Sequence, residues 1–122
     1  MSELFTLSGT ITGSGTVSLS GDLLYSSTTV VRMPKGMNAK VWCKRITASA
    51  AGTITVDYSP DITVASPTYI PVIREYLAAA GEYHIEKRRP TILRGITGNE
   101  GFRVSVSGTG TYTIDLEVEF EE

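Results

Sequence analysis

One histidine, one cysteine and thirteen carboxylates are the main side chains with which this chain of 122 residues could do chemistry. Nucleophilic catalysis by Cys43 or by a serine needs a base, and His84 is the only imidazole. In Glu82-Tyr83-His84-Ile85-Glu86 the histidine alternates with apolar residues and shares a strand face with two glutamates. It reads as an ordinary wet-face residue with no orienting partner. Cys43 and His84, about forty residues apart, show no metal-ligand spacing, and a lone cysteine excludes an internal disulfide. Asp57 and Asp61 flank Tyr58-Ser59-Pro60 but lack the dense oxygen pattern of a calcium loop, so they read as a turn. Paired carboxylates can hydrolyse glycosides. Asp115, Glu117 and Glu119, however, recur on one strand face, where solubility and edge protection account for them. Gly13-Ser14-Gly15, Gly98-Asn99-Glu100-Gly101 and Gly108-Thr109-Gly110 lack the following helix and Lys-Ser/Thr ending of a phosphate loop, and read as turns. The expectation is a protein with no catalytic, metal or cofactor site.

What remains are surfaces. Lys87-Arg88-Arg89-Pro90 is the one concentrated basic run, and with Lys44-Arg45 it could face an acidic partner or a phosphate backbone. Adjacent residues on a strand cannot share one face, which favours a solvated edge. A net charge of −2 and a pI near 5.4 argue against nucleic acid as the main partner. Trp42 is core if it joins Ile46 and Ala48 on the inner face, and an exposed anchor if Val41 and Cys43 point inward instead. The core reading is preferred. Apolar side chains in terminal or proline-flanked segments, Leu4, Phe5, Ile62, Tyr69, Ile70 and Tyr76, are candidate partner contacts, together with Lys87, Arg88 and Arg89.

The elements that position these residues are strands. Tyr112, Ile114, Leu116, Val118 and Phe120 alternate with Thr113, Asp115, Glu117 and Glu119, a period of two. Phe102, Val104 and Val106 alternate with Arg103, Ser105 and Ser107 just upstream. A hairpin through Gly108-Thr109-Gly110, with Gly110 left-handed, pairs Val104 with Ile114 and Arg103 with Asp115. Phe102, Val104, Ile114, Leu116 and Val118 are then buried together. Further strands are expected around Phe5–Ile11, Thr28–Met33, Ala39–Ala48 and Ile54–Tyr58, with a turn at Pro34-Lys35-Gly36. A strand pair between Phe5–Ile11 and the segment through Val17 and Leu19 is also expected. Pro60, Pro67 and Pro71 mark loop or edge. Residues 73–81 fit either a short helix with a glycine stop or a strand. The sum is one all-β domain over residues 1–122: a single antiparallel sandwich of about eight short strands, jelly-roll-like or immunoglobulin-like, or a closed barrel.

The length, strand count and Ser/Thr/Gly-rich turns, with Leu77-Ala-Ala-Ala-Gly-Glu and Arg89-Pro-Thr-Ile-Leu-Arg94, resemble the small single-jelly-roll proteins that decorate or cement virus and phage capsids. The resemblance implies a non-enzymatic structural protein of the virion, a homotrimer or other symmetric oligomer, bound to an assembled protein shell. A β-sandwich carbohydrate-binding module, with Trp42, Tyr58 or Tyr69 as platform, is the alternative. No secretory signal or membrane-length apolar run is visible, so assembly in the host cytoplasm and no membrane partner are expected.

Overall fold

The computed structural model describes residues 3–22, 24, 26–85 and 91–121. None of these is helical, and none forms a helix long and apolar enough to cross a membrane. The strands are β1 (Glu3–Thr12), β2 (Gly15–Thr16), β3 (Ser20–Gly21), β4 (Val31–Arg32), β5 (Met37–Ala48), β6 (Gly52–Ser59), β7 (Ile70–Leu77), β8 (Gly81–His84), β9 (Thr91–Gly95), β10 (Gly101–Gly108) and β11 (Thr111–Glu121). One sheet, called A here, runs β3-β1-β11-β5, with β8 and β9 one after the other along the free side of β5. The other, sheet B, runs β10-β6-β7, with β2 and β4 both beside β10. Every pairing is antiparallel.

Taking β2 with β4, and β8 with β9, as single rungs gives an order along the chain of 1-8-3-6 in sheet A and 2-7-4-5 in sheet B. That order is a jelly roll. Among these rungs only the step from β6 to β7 stays within one sheet. Residues 73–81 are strand, turn and strand. Hydrogen bonding of β7 to β6 outweighs the helical preference of the alanines, which sit in the turn before β8.

The inner faces carry the expected set. Phe102, Val104, Ile114, Leu116 and Val118 are all fully buried, with Leu7, Val41, Ile46, Ile54 and Val56. The hairpin, however, does not exist. β10 pairs with β6 and β11 with β1 and β5, so Val104 lies beside Val56, and Ile114 beside Ile46 and Gly9. Alternation specifies which face a residue presents but not which strand lies next to it. Gly108-Thr109-Gly110 is a crossover between sheets, and the two apolar rows meet through the core instead of side by side. The charge pairs divide in the same way: Arg103 stands opposite Asp57, and Asp115 opposite Arg45. Gly13-Ser14-Gly15 also crosses between the sheets, taking the chain from β1 to β2, and only Ser20–Gly21 returns to pair with β1.

These crossovers are tied around Tyr112, which is fully buried. Its hydroxyl donates to the Ala51 carbonyl at 2.7 Å and accepts from the Gly110 N–H at 3.2 Å. Gly13 N–H donates to Gly110 O, the Ser14 hydroxyl to Gly108 O, and Thr111 N–H to the Ser49 hydroxyl. Gly110 is not left-handed, contrary to the hairpin expectation. It is needed for room, since a Cβ there would meet Ser49 Oγ at 2.7 Å. A Cβ at Gly52 or Gly108 would overlap the Tyr112 hydroxyl.

Gly108→Ala should therefore destabilise the domain by about 1–3 kcal/mol, as overpacking does. In a Tyr112→Phe background the nearest obstructing atom is gone, although the ring Cζ at 2.7 Å remains, so the added methyl should cost less. Thermal or urea unfolding of the four proteins checks this, and equal costs in the two backgrounds would contradict it.

Candidate functional site

The residues with chemical potential are dispersed. Cys43 points into the core and is 1% exposed; burial, with a smaller contribution from the charge of Glu75, pushes its thiol up to about 12. Such a thiol is neither a nucleophile nor a ready metal ligand. His84 is exposed on β8, on the other side of sheet A, with Nε2 3.2 Å from Glu82 Oε1. Asp57, 5% exposed, accepts from Arg103 Nε at 3.3 Å and the Ser105 hydroxyl at 2.9 Å. Asp61 instead closes a local turn by accepting from the Thr63 N–H and hydroxyl, which hold its carboxyl below the usual range. The two aspartates thus do separate jobs. Among the described residues no group of three His, Cys, Asp or Glu could hold a metal ion.

The acidic row of β11 is answered on β5. Asp115 accepts both Nε and Nη2 of Arg45 at 2.8 Å, Glu117 lies 3.3 Å from Lys44 Nζ, and Glu119 lies 4.0 Å from Lys40 Nζ. Glu117 is only 9% exposed, drier than a solvated face would leave it. A β-bulge explains why Lys44 and Arg45, adjacent in sequence, both face out: Asp115 pairs with Arg45 and Leu116 with Cys43, leaving Lys44 as the extra residue. The bulge also resolves Trp42. Val41 and Cys43 point inward before it, Ile46 and Ala48 after it, and Trp42 falls on the outer alternation opposite Glu117. It is nevertheless only 4% exposed. The Tyr58 hydroxyl is bonded to Arg94 O, and Arg103 stacks 3.8 Å over the Tyr69 ring. None of the three aromatic candidates offers an open platform for a sugar.

Exposed apolar side chains, by contrast, lie mostly toward one end of the sandwich. β1, β6, β7, β9, β10 and β11 each begin or finish at the end of the sandwich opposite Tyr112. Leu4, Ile70, Ile92 and Ile96 are all more than half exposed there, with Val64 close behind in the 60–69 loop. Leu4 and Ile92 bracket the Glu119 and Lys40 pair in one row across sheet A. Tyr76, 71% exposed, sits at the other end opposite Thr53. A bulge at Val72 moreover turns Ile70 and Tyr76 to opposite faces of β7. Phe5 is half buried with its ring edge-on to Phe120, and Ile62 and Tyr69 are half buried. Lys87, Arg88 and Arg89 lie outside the described residues. Sequence reasoning missed Val64, Ile92 and Ile96. For Ile92 a signal existed, because Ile92 and Leu93 are adjacent on a strand and only one can point inward.

The loops at this end are rigidly built. Glu100, 4% exposed, accepts the N–H groups of Ile96, Thr97 and Gly98 at 2.9–3.2 Å and the Thr97 hydroxyl. Burial raises its pKa, but those donors prevail and hold the carboxyl down at about 2. Gly98, at φ +83°, supplies the left-handed residue of this turn. Arg32 fastens the same turn through Gly98 O and Asn99 Oδ1, and Ile62 N–H donates to Asn99 O. Ile96 is thereby presented by a turn with little freedom. No protein-family model matches the chain, and no curated protein matches it.

Because the native carboxyl of Glu100 lies below its ordinary 4.5, its stabilising contribution is complete above pH 4.5 and fades as pH falls toward 2. Glu100→Gln should lower the melting temperature at neutral pH by roughly 4 °C or more, as about 1 kcal/mol does at this size. Melting curves from pH 7 downward should show the gap closing below 4.5; a constant gap would contradict the assignment.

Proposed function

We propose that this chain is a non-enzymatic structural protein that forms a symmetric homo-oligomer and binds an assembled protein shell, as capsid decoration proteins do. The observation that carries the reading is that Leu4, Val64, Ile70, Ile92 and Ile96, all exposed, lie toward the same end of the sandwich. Scattered exposed apolar residues need no explanation, whereas a concentrated set marks a surface that another protein covers. The hydrogen-bonded turn around Glu100 adds to this, because side chains held before binding lose less entropy on association. The jelly-roll order agrees with the resemblance in the sequence, and a trimer is the assembly that resemblance favours. Such a protein works in the virion and needs neither cofactor nor catalytic residues.

Sedimentation equilibrium at micromolar concentration tests the oligomer. The expected result is about three times the 13.1 kDa chain mass, with Ile96→Asp and Ile70→Asp shifting the distribution toward monomer or abolishing shell binding in a co-sedimentation assay. A monomer whose shell binding is indifferent to both substitutions would overturn the proposal.

A further inference from the structure

Tyr76, 71% exposed, lies away from the other exposed apolar side chains, on the outer face of sheet B. The register there sets three rows across β10, β6 and β7. Arg103 stands beside Asp57 in the first, Ser105, Thr55 and Arg74 form the second, and Ser107, Thr53 and Tyr76 form the third. Thr16 of β2 extends the second row. The residues that alternate with these along β10 and β6, Val104, Val106, Ile54 and Val56, are buried in the core, so all three rows face outward.

Charge on this face is one-sided. Asp57 is the one carboxylate on the outer alternation of β6, β7 and β10, and it is engaged by Arg103 Nε at 3.3 Å and the Ser105 hydroxyl at 2.9 Å. Arg74, exposed in the next row, has no ion pair and no side-chain hydrogen bond among the described residues. Glu75 beside it belongs to the inward alternation of Ile73 and Leu77. The hydroxyls of Thr53, Thr55 and Ser107 also form no side-chain hydrogen bond among the described residues. The first row is firmly built, since Asp57 is 5% exposed and the guanidinium it holds lies 3.8 Å over the Tyr69 ring. An unpaired guanidinium and an open phenol ring therefore share a floor of free hydroxyls. Arg74 and Tyr76 are two residues apart on β7, about 7 Å along the strand. One pyranose ring with a carboxyl substituent bridges that spacing.

We propose that the outer face of sheet B binds a carboxylated glycan of the uronate type, with Tyr76 against the sugar ring, Arg74 on its carboxylate, and Thr53, Thr55 and Ser107 on its hydroxyls. The phenol ring covers the apolar C–H face of a sugar while its own hydroxyl stays in water. A guanidinium grips a planar carboxylate through two parallel N–H bonds. Serine and threonine hydroxyls both donate and accept, as sugar hydroxyls do. A nucleic acid needs several cations along its phosphates, whereas this face offers one that is unpaired. An acidic peptide would engage Arg74 but leave the hydroxyl floor unused. The face is open to solvent, so affinity is modest. The site does not depend on the oligomer or on the apolar residues at the other end.

Trigalacturonate is the probe, with neutral maltotriose and a triglutamate peptide as comparators. Amide resonances of the full chain are followed by NMR at pH ~7, where the carboxylates are ionised, with ionic strength held by sodium chloride. The expected result is one saturable site for trigalacturonate with a Kd on the order of millimolar, its shifts centred on Thr53, Thr55, Arg74 and Tyr76. Both Arg74 and Tyr76 are exposed, so replacing them leaves the core intact. Tyr76→Ala should weaken binding roughly tenfold, while Tyr76→Phe, which keeps the ring, should leave it little changed. Arg74→Ala should bring trigalacturonate down to the level of maltotriose. Shifts that never saturate, that sodium chloride reproduces, or that persist unchanged in Tyr76→Ala would overturn the proposal. So would maltotriose or triglutamate binding the native chain as tightly as trigalacturonate.

Discussion

The arrangement of this sandwich depends on the chain being passed from one sheet to the other at nearly every step, and on those crossings holding their geometry. Three of them, at residues 12–15, 48–52 and 108–111, converge at one end around the buried hydroxyl of Tyr112. A phenol in that position fills apolar space with its ring and satisfies backbone groups that a buried loop would otherwise leave unpaired. The three glycines beside it follow from the same constraint, since at each a Cβ would collide with Tyr112, Ser49 or Ala50. Once the crossings are fixed, the alternation of each strand determines what enters the core. Most pairings then join residues far apart in sequence, a topology that folds slowly compared with hairpin-rich chains.

Much of this was legible. The inner set of β10 and β11, the turn at Lys35 and Gly36, the strand over residues 39–48 and the marginal place of the prolines all follow from period-two patterning and turn chemistry. Partner choice was not legible. Val104 against Ile114 and Arg103 against Asp115 make a self-consistent hairpin on paper, yet Val56 and Asp57 satisfy the same requirements from 46 to 48 residues away. The bulge at Lys44 was hidden for a related reason. Val41 and Cys43 suggested one inner face and Ile46 and Ala48 the other, and the conflict itself was the sign that parity changes between them. Trp42 sits on that change, which is why neither of its two simple readings was complete.

The free edge of sheet B is protected against further strand pairing. β7 borders only β6. It carries Pro71, the bulge at Val72 and Glu75, which shares the inward alternation of Ile73 and Leu77. These are the devices that discourage strand-to-strand aggregation. Partial burial raises the pKa of Glu75, the signature of a carboxylate held partly out of water. Exposed apolar side chains lie instead toward the end away from Tyr112. The outer face of sheet A is different in kind, a lattice of hydroxyls and ion pairs in which Thr10 meets Thr113 at 3.0 Å and Thr12 meets Thr111 at 3.1 Å.

The claim on which all of this rests is that β10 and β11 lie in opposite sheets. Cross-strand proton contacts measured by NMR on the labelled chain test it directly. The structure requires backbone contacts from Val104 to Val56, and from Ile114 to both Ile46 and Gly9. Backbone contacts between Val104 and Ile114, the signature of a hairpin, would contradict it.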